Sequence, residues 1–587
     1  MADTAFSPPL LQRAWRSIGR WRSDLLDSSD AQRRFWVLVL LTGAASGLGA
    51  AALVKLLVAV QSLVWQPGHS LREAVIASSS LHRILTLGLG GLLVVIVATI
   101  SGRPLSGHGT AGIIEAIWLR EGRYSLGYAL LRGAMTIVAV ACGAPLGREG
   151  ALLSTGAGVG SFLSDRFKLQ PDQTRVLVAC GAASGIAAAY NVPVGAALFG
   201  LEILLGSFVL ELLGPIVVSC VVATMLSRIL VESHPTYVIP YYRLGRPLEI
   251  LRFVALAPLF GLASAIYVRA IEGFATFFER FKGVWLRMTP LLAMLVVGVL
   301  ACWLPSILGN GYDAVNDALL GHFSLGMLLI LPVAKLLATA LCSGARVPGG
   351  LFTPSLFFGA MLGGAMGRIM HFGAPDTAPV GAYALVGMAA ILAGTTHAAV
   401  TAVLIIFELT RDYGVILPLM LTCVISAAVA RYLEPESLYT GVLRRRKVLL
   451  PQRPQPAWMN ETFVDSLVTK EDLVTVPPGM AFSSVLMQLI ALPPGSDLYV
   501  VDATGRYLGV IVLDDIKGHL PDQTNLGSVV AADVMSAGRR ALTARMTLAA
   551  AAVQFAETYL DKLPVVDAHG HLIGTASKRD LMRKAQF

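Results

Sequence analysis

The chain has 587 residues, of which 55% are hydrophobic and only 14% charged, with a mean hydropathy of +0.68. Soluble domains carry about 25% charged residues, so this chain has too few charges to cover soluble domains of its total length, and a soluble enzyme is excluded. The formal net charge of +9 and the pI near 9.3 do not point to nucleic acid. No basic stripe interleaved with aromatics is present, and the positive charge sits at the two ends of the apolar region.

Residues 1–33 form a basic segment carrying Arg13, Arg16, Arg20, Arg22 and Arg33, with Arg34 just beyond it. The segment is polar and lacks the apolar core of a cleavable signal peptide. Apolar runs follow at residues 35–64, 81–100, 126–142, 213–229, 253–271, 291–304 and 326–341, with more up to 433; a plain span takes about 20 residues. The membrane region is placed at 34–443 and is followed by the basic cluster Arg444, Arg445, Arg446 and Lys447. Basic residues at both ends predict cytoplasmic termini and an even number of crossings. Cys142, Cys180, Cys220, Cys302, Cys342 and Cys423 lie in apolar stretches without disulfide or metal spacing, and read as small buried hydrophobes.

Two stretches, 143–160 and 344–364, mix apolar residues with Gly, Pro and single charges. They predict irregular backbone at membrane depth, which survives only where it is buried in protein or lines a cavity. They also correspond to each other. Gly147-Arg-Glu-Gly-Ala matches Gly350-Leu-Phe-Thr-Pro; further on, Gly181-Ala-Ala and Asn191-Val-Pro-Val-Gly through Glu202 align without gaps to Gly387-Met-Ala and His397-Ala-Ala-Val-Thr through Glu408. An internal repeat with interrupted segments at equivalent places points to a transporter or channel whose site lies at the repeat interface. Compositional likeness of Ala/Gly-rich helices is the plainer alternative, and the matched Glu and Gly positions argue against it.

Residues 444–464 are a linker containing the stiff Pro451-Gln-Arg-Pro-Gln-Pro456. Two copies of a small α/β unit follow, at 465–525 and 526–587. Tyr499-Val-Val-Asp502, Gly505, Leu508-Gly509 and Asp515 recur at one offset as Pro564-Val-Val-Asp567, Gly570, Ile573-Gly574 and Asp580. Each copy reads as helix, buried strand, Asp/Gly turn, second strand and helix.

Glu149 is a carboxylate in an apolar, Gly-rich setting where a helix is expected to begin. An ionisable group at membrane depth costs about 2.5–3.5 kcal/mol to insert and implies function. A helix N-terminus offers free N–H groups and positive potential, so Glu149 can occupy an anion site as a tethered anion and, once protonated, leave that site to a diffusible one. A structural ion pair with Arg148 is the alternative. Gly349-Gly-Leu-Phe-Thr-Pro354 makes the same geometry without an acid, with the N–H groups of Leu351 and Phe352 facing the anion and no fixed cation to hold it too tightly.

Taken together, Gly147-Arg-Glu-Gly, Gly350-Leu-Phe-Thr-Pro, the Asn191-Val-Pro run and Ser437-Leu-Tyr439 resemble the CLC family of chloride channels and chloride/proton antiporters, and most of all its bacterial ClcB-like members. The resemblance implies a polytopic α-helical membrane protein of two inverted-topology halves of tilted and re-entrant helices. It implies a homodimer in a bacterial inner membrane, with one chloride pore per subunit and voltage gating. It also implies roles: Glu149 as the gate, Leu351 and Phe352 as backbone anion ligands, and Tyr439 as a hydroxyl donor to the anion. The partners so implied are chloride and the lipid bilayer, with no nucleic acid.

Two departures stand out. The first family motif is here Ser106-Gly-His-Gly-Thr110, which puts His108 where a selectivity serine belongs; Ser106 or Thr110 can supply the hydroxyl, or the imidazole N–H can donate instead. Ile203 stands where the antiporters carry an inner proton-loading glutamate, and the adjacent Glu202 lies on another helix face, so an uncoupled channel is expected over an antiporter. A membrane-anchored nucleotide sensor is the remaining rival. The tail resembles a pair of CBS domains, which implies an adenine nucleotide site at Thr575, Ser577 and Asp580; a purely structural pair is the alternative, and in the first copy Val512 replaces the hydroxyl. No phosphate loop, zinc motif or paired-cysteine site is present, so no cofactor is required and no enzyme is expected.

Overall fold

The computed structural model describes residues 31–66, 70–102, 109–206, 208, 210–231, 237–238, 242, 248–374, 377–410, 413–446, 448, 459, 462–469, 473–493, 497–512, 529–536, 541–558 and 562–584. The chain divides into two compact units, Met1–Arg446 and Lys447–Phe587.

The first unit is helical. Its α-helices are α1 (Ala31–Val64), α2 (Leu71–Ala77), α3 (Ser80–Ile100), α4 (Thr110–Leu119), α5 (Leu126–Ala141), α6 (Glu149–Arg166), α7 (Pro171–Tyr190), α8 (Pro193–Phe199), α9 (Leu210–Leu230), α10 (Leu248–Phe278), α11 (Gly283–Leu300), α12 (Tyr312–Leu319), α13 (Leu325–Gly344), α14 (Phe352–Gly373), α15 (Val380–Thr396), α16 (Ala399–Thr410), α17 (Ile416–Leu433) and α18 (Thr440–Arg445). Serines start several of them. Ser70, Ser79, Ser125 and Ser324 each accept the N–H three residues on, at 3.3–3.5 Å, satisfying one of the free donors of a first turn. Among the described residues, α1, α3, α9, α10, α11, α13 and α17 are long and apolar enough to cross a membrane. Their outer faces carry exposed Leu63, Leu81, Ile229 and Val284, and Trp285, Trp303 and Tyr432 stand exposed near helix ends, where amphipathic rings meet headgroups.

The repeat is visible in the packing. Helix α6 lies against α7, and α14 against α15. A Cβ on Gly156 would strike the Gly181 backbone and one on Gly359 the Gly387 backbone, so equivalent glycines bring both helix pairs into contact. Asn191 and His397 end α7 and α15 in the same left-handed conformation, φ 60° and 59°. The expectation of irregular backbone over 143–160 and 344–364 needs correction. Only 143–148 and 345–351 are non-helical; beyond them the glycines lie inside α6, α13 and α14, where they serve close packing rather than break the helix.

The second unit holds two three-stranded sheets. The first runs β1 (Val474–Val476), α19 (Phe482–Ala491), β2 (Leu498–Val501) and β3 (Tyr507–Ile511). After α20 (Ala531–Val534), the second runs β4 (Leu542–Thr543), α21 (Leu548–Glu557), β5 (Lys562–Val566), β6 (Leu572–Ser577) and α22 (Lys578–Lys584). In each, the first strand is parallel to the second and the third antiparallel, with a bulge at Val500/Val501 and at Val565/Val566. The copies exchange ends: Met459, Val464 and Leu467 complete the second copy's core, and Ala531 and Val534 the first copy's.

Candidate functional site

The two interrupted stretches meet. Gly147 N–H donates to the Gly350 carbonyl at 2.8 Å and Gly350 N–H returns a bond to Gly147 at 2.7 Å, an antiparallel bridge that sets the N-termini of α6 and α14 side by side. Glu149, 1% exposed, lies against this bridge, since a Cβ on either glycine would collide with its carboxylate. The lead-in is anchored by the Thr339 hydroxyl, which donates to the Pro145 carbonyl at 2.8 Å, and by Gly309 N–H on the Gly143 carbonyl.

Hydroxyls surround the carboxylate. Tyr190, the last residue of α7, donates to Glu149 Oε1; its hydroxyl also stands 2.7 Å from Thr353 Oγ1 and 3.3 Å from the Tyr312 hydroxyl. Glu149 Oε2 has no hydrogen-bond partner. The expected alternative of an Arg148–Glu149 ion pair is not formed: the guanidinium donates to the Ala189 carbonyl and lies 5.5 Å from the Tyr312 ring centre. Arg148, Tyr312, Asn310 and Arg72 line a cavity of about 250 Å³. Leu351 and Phe352 are buried at the start of α14. Tyr439 is buried too, just before α18, with the Phe199 ring edge-on at 6.1 Å.

Glu202 and Ile203 fall in a π-helical turn, Gly200–Leu205, that continues α8. Glu202 Oε2 accepts from Thr401 N–H at 2.8 Å and Thr401 Oγ1 at 2.6 Å. Its repeat partner Glu408 accepts from Val194 N–H at 3.1 Å and Gly195 N–H at 2.6 Å. Each half thus caps the helix that opens in the other, and the Glu202 carboxylate is engaged as a cap. Ser106 and His108 lie outside the described residues, while Thr110 is buried as the first residue of α4.

Sequence reasoning missed two buried basic side chains. Lys335 is fully buried in α13, donates to the Ile307 and Gly309 carbonyls at 2.7 and 2.6 Å, and sits 5.2 Å from the Phe357 ring centre. Arg132 is 3% exposed in α5 and donates to Ser154 Oγ at 3.2 Å. The signal was available, because each is a lone basic residue within an apolar run. In the tail, Thr575 is buried and exchanges backbone bonds with Thr469 at 2.9 Å in both directions. Ser577 donates to Asp580 Oδ2 at 2.7 Å and accepts from Asp580 N–H, so these two form a helix start. Asp515 lies outside the described residues.

The family profile for voltage gated chloride channels matches residues 90–431. The chain belongs to the CLC family. It is therefore a membrane protein of CLC-type chloride transport, and a CBS domain profile matches residues 530–586 of its tail. A ClcB-like chloride channel protein of Ralstonia nicotianae is 34% identical over 70% of this chain and 97% of its own length. The voltage-gated ClC-type chloride channel ClcB of Salmonella typhimurium is 31% identical over 67% and 95%. Two solved structures share the CLC fold. A slow cyanobacterial Cl−/H+ antiporter has a TM-score of 0.64 at 24% identity, over 70% of this chain and 97% of its own; a eukaryotic CLC transporter has 0.65 at 19%, over 94% and 99%.

Proposed function

We propose that this CLC protein is a chloride channel, voltage-gated in type, conducting chloride and similar small anions across a bacterial inner membrane through one pathway per subunit of a homodimer. Both termini face the cytoplasm. The observation that carries this reading is the Gly147–Gly350 bridge with the buried Glu149 carboxylate against it: two helix N-termini converge where only an anion is favoured, and the chain's own anion is held there. Glu149 acts as the gate, Leu351 and Phe352 present N–H groups to the anion, and Tyr439 supplies a hydroxyl. Ser106, His108 or Thr110 completes the anion's donors from the first motif. The tail pair takes an adenine nucleotide beside Thr575, Ser577 and Asp580, or serves structurally.

The second reading is chloride/proton exchange, the activity named for the cyanobacterial fold neighbour. Ile203 carries no proton and Glu202 is engaged with Thr401, which favours the uncoupled channel. The test is reconstitution into liposomes with chloride and pH electrodes. A channel reverses at the chloride equilibrium potential whatever the pH gradient; a reversal voltage that follows the pH gradient overturns the channel reading. Glu149→Gln is expected to abolish the pH dependence of flux, and an unchanged dependence removes Glu149 from the pathway.

A further inference from the structure

We propose that Tyr190 is the latch of the Glu149 gate, a positioning residue whose hydroxyl holds the carboxylate in the pathway and sets how readily protonation releases it. The inference rests on the reading of Glu149 as gate and deepens it.

The hydroxyl of Tyr190 has one proton to give and lies within hydrogen-bond reach of three groups: Glu149 Oε1, Thr353 Oγ1 and the Tyr312 hydroxyl. An ionised carboxylate only accepts, so that proton goes to Glu149, and the Thr353 and Tyr312 hydroxyls must then donate to Tyr190. Each of these two bonds polarises the third, which strengthens donation to the carboxylate. The three groups arrive from different elements. Tyr190 closes α7, Thr353 lies in the first turn of α14 and Tyr312 opens α12, so the hydroxyl ties the carboxylate to both halves of the repeat. The Tyr190 ring is held by Phe352, 5.7 Å away, which leaves the hydroxyl little freedom to turn elsewhere. The backbone N–H groups of Glu149 and Thr353 also face the carboxylate and are common to every variant below, while the Tyr190 bond is its one side-chain hydrogen bond among the described residues.

Arg148, Tyr237, Tyr267, Tyr312, Tyr439 and Lys335 also lie within electrostatic reach of Glu149. Phenols keep their protons below about pH 10, and Arg148 and Lys335 are common to every variant below, so a shift between variants reports the latch.

The experiment uses the full chain in liposomes and measures chloride flux across an acid-to-neutral pH series. Tyr190→Phe keeps the ring and deletes the hydroxyl. A hydrogen bond to a charged group is worth about tenfold or more in an equilibrium, so half-maximal flux is expected at a proton concentration lower by about tenfold, a move of about one unit toward alkaline pH. Tyr312→Phe leaves the Tyr190 bond and removes one of its two supports, so it gives a smaller shift of the same sign. In a Glu149→Gln background, Tyr190→Phe produces no pH shift at all. If Glu149→Gln abolishes the pH dependence while Tyr190→Phe and Tyr312→Phe both track the unaltered protein, the latch is overturned and the gate stands. If Glu149→Gln keeps the pH dependence, the gate falls and the latch with it.

Discussion

Glu202 provides the sharpest separation between a structural carboxylate and a proton relay. Its Oε2 accepts two hydrogen bonds from Thr401, one from the backbone N–H at 2.8 Å and one from the hydroxyl at 2.6 Å. Glu202→Gln preserves an oxygen for both bonds and loses only the attraction between a negative charge and the α16 N-terminus, about 0.3–1 kcal/mol. Glu202→Ala removes the cap and leaves a partly buried donor without a partner, about 2 kcal/mol. If all of that appears in the unfolding rate, the half-life for thermal inactivation in detergent shortens by up to about 30-fold. The assay pairs that half-life with chloride and proton fluxes in liposomes. Glu202→Gln is expected to retain transport with an unchanged pH profile and a half-life close to that of the unaltered protein. Glu202→Ala is expected to transport as folded protein but to inactivate sooner, and Glu408→Ala should match it through the reciprocal cap on Val194 and Gly195. Loss of a pH-dependent flux component in Glu202→Gln, with stability intact, would refute the capping argument and return Glu202 to a proton path.

Three further outcomes are expected. Gly350→Ala drives a Cβ against the Glu149 carboxylate, an overpacking of about 1–3 kcal/mol at the centre of the site, and should lower reconstituted flux by about tenfold or more; Gly127→Ala, with open space around it, should not, and equal effects from the two refute the placement. Lys335→Met keeps the volume but leaves the buried Ile307 and Gly309 carbonyls without donors, at about 1–3 kcal/mol each, and should shorten the inactivation half-life, which an unchanged half-life would contradict. In the tail, the backbone N–H groups of His571 and His569 hold the Asp567 carboxyl at about 2; because the folded form lowers it, its stabilisation is complete above about pH 4 and is lost as pH falls through about 2. The gap in thermal midpoint between the tail and its Asp567→Asn variant should therefore close over that window, and a gap independent of pH refutes the assignment.

Much of the architecture was legible because lipid and helix geometry impose patterns that a sequence must carry. Apolar length marks the spans, and the gapless match from Asn191 to Glu202 and from His397 to Glu408 announces a repeat whose halves adopt the same left-handed turn. The tail's Asp/Gly turns are equally local. Asp502 and Asp567 each accept the N–H groups two and four residues on, and Gly505 and Gly570 take φ values of +83° and +86° that suit glycine.

By itself, then, the sequence determined the membrane class, the repeat, the position of Glu149 at a helix start and the soluble tail, since each follows from periodicity, composition or turn chemistry within a short window. Only the tertiary structure decided what the polar groups do. Whether Glu202 relays protons or caps a helix depends on Thr401, 199 residues away. Whether Arg148 pairs with Glu149 depends on the Ala189 carbonyl and the Tyr312 ring, which draw it aside. The surroundings of the Tyr190 hydroxyl depend on Thr353 and Tyr312, 163 and 122 residues away. A buried polar group is defined by the partner that satisfies it, and for Glu202 and Tyr190 those partners come from the other half of the chain.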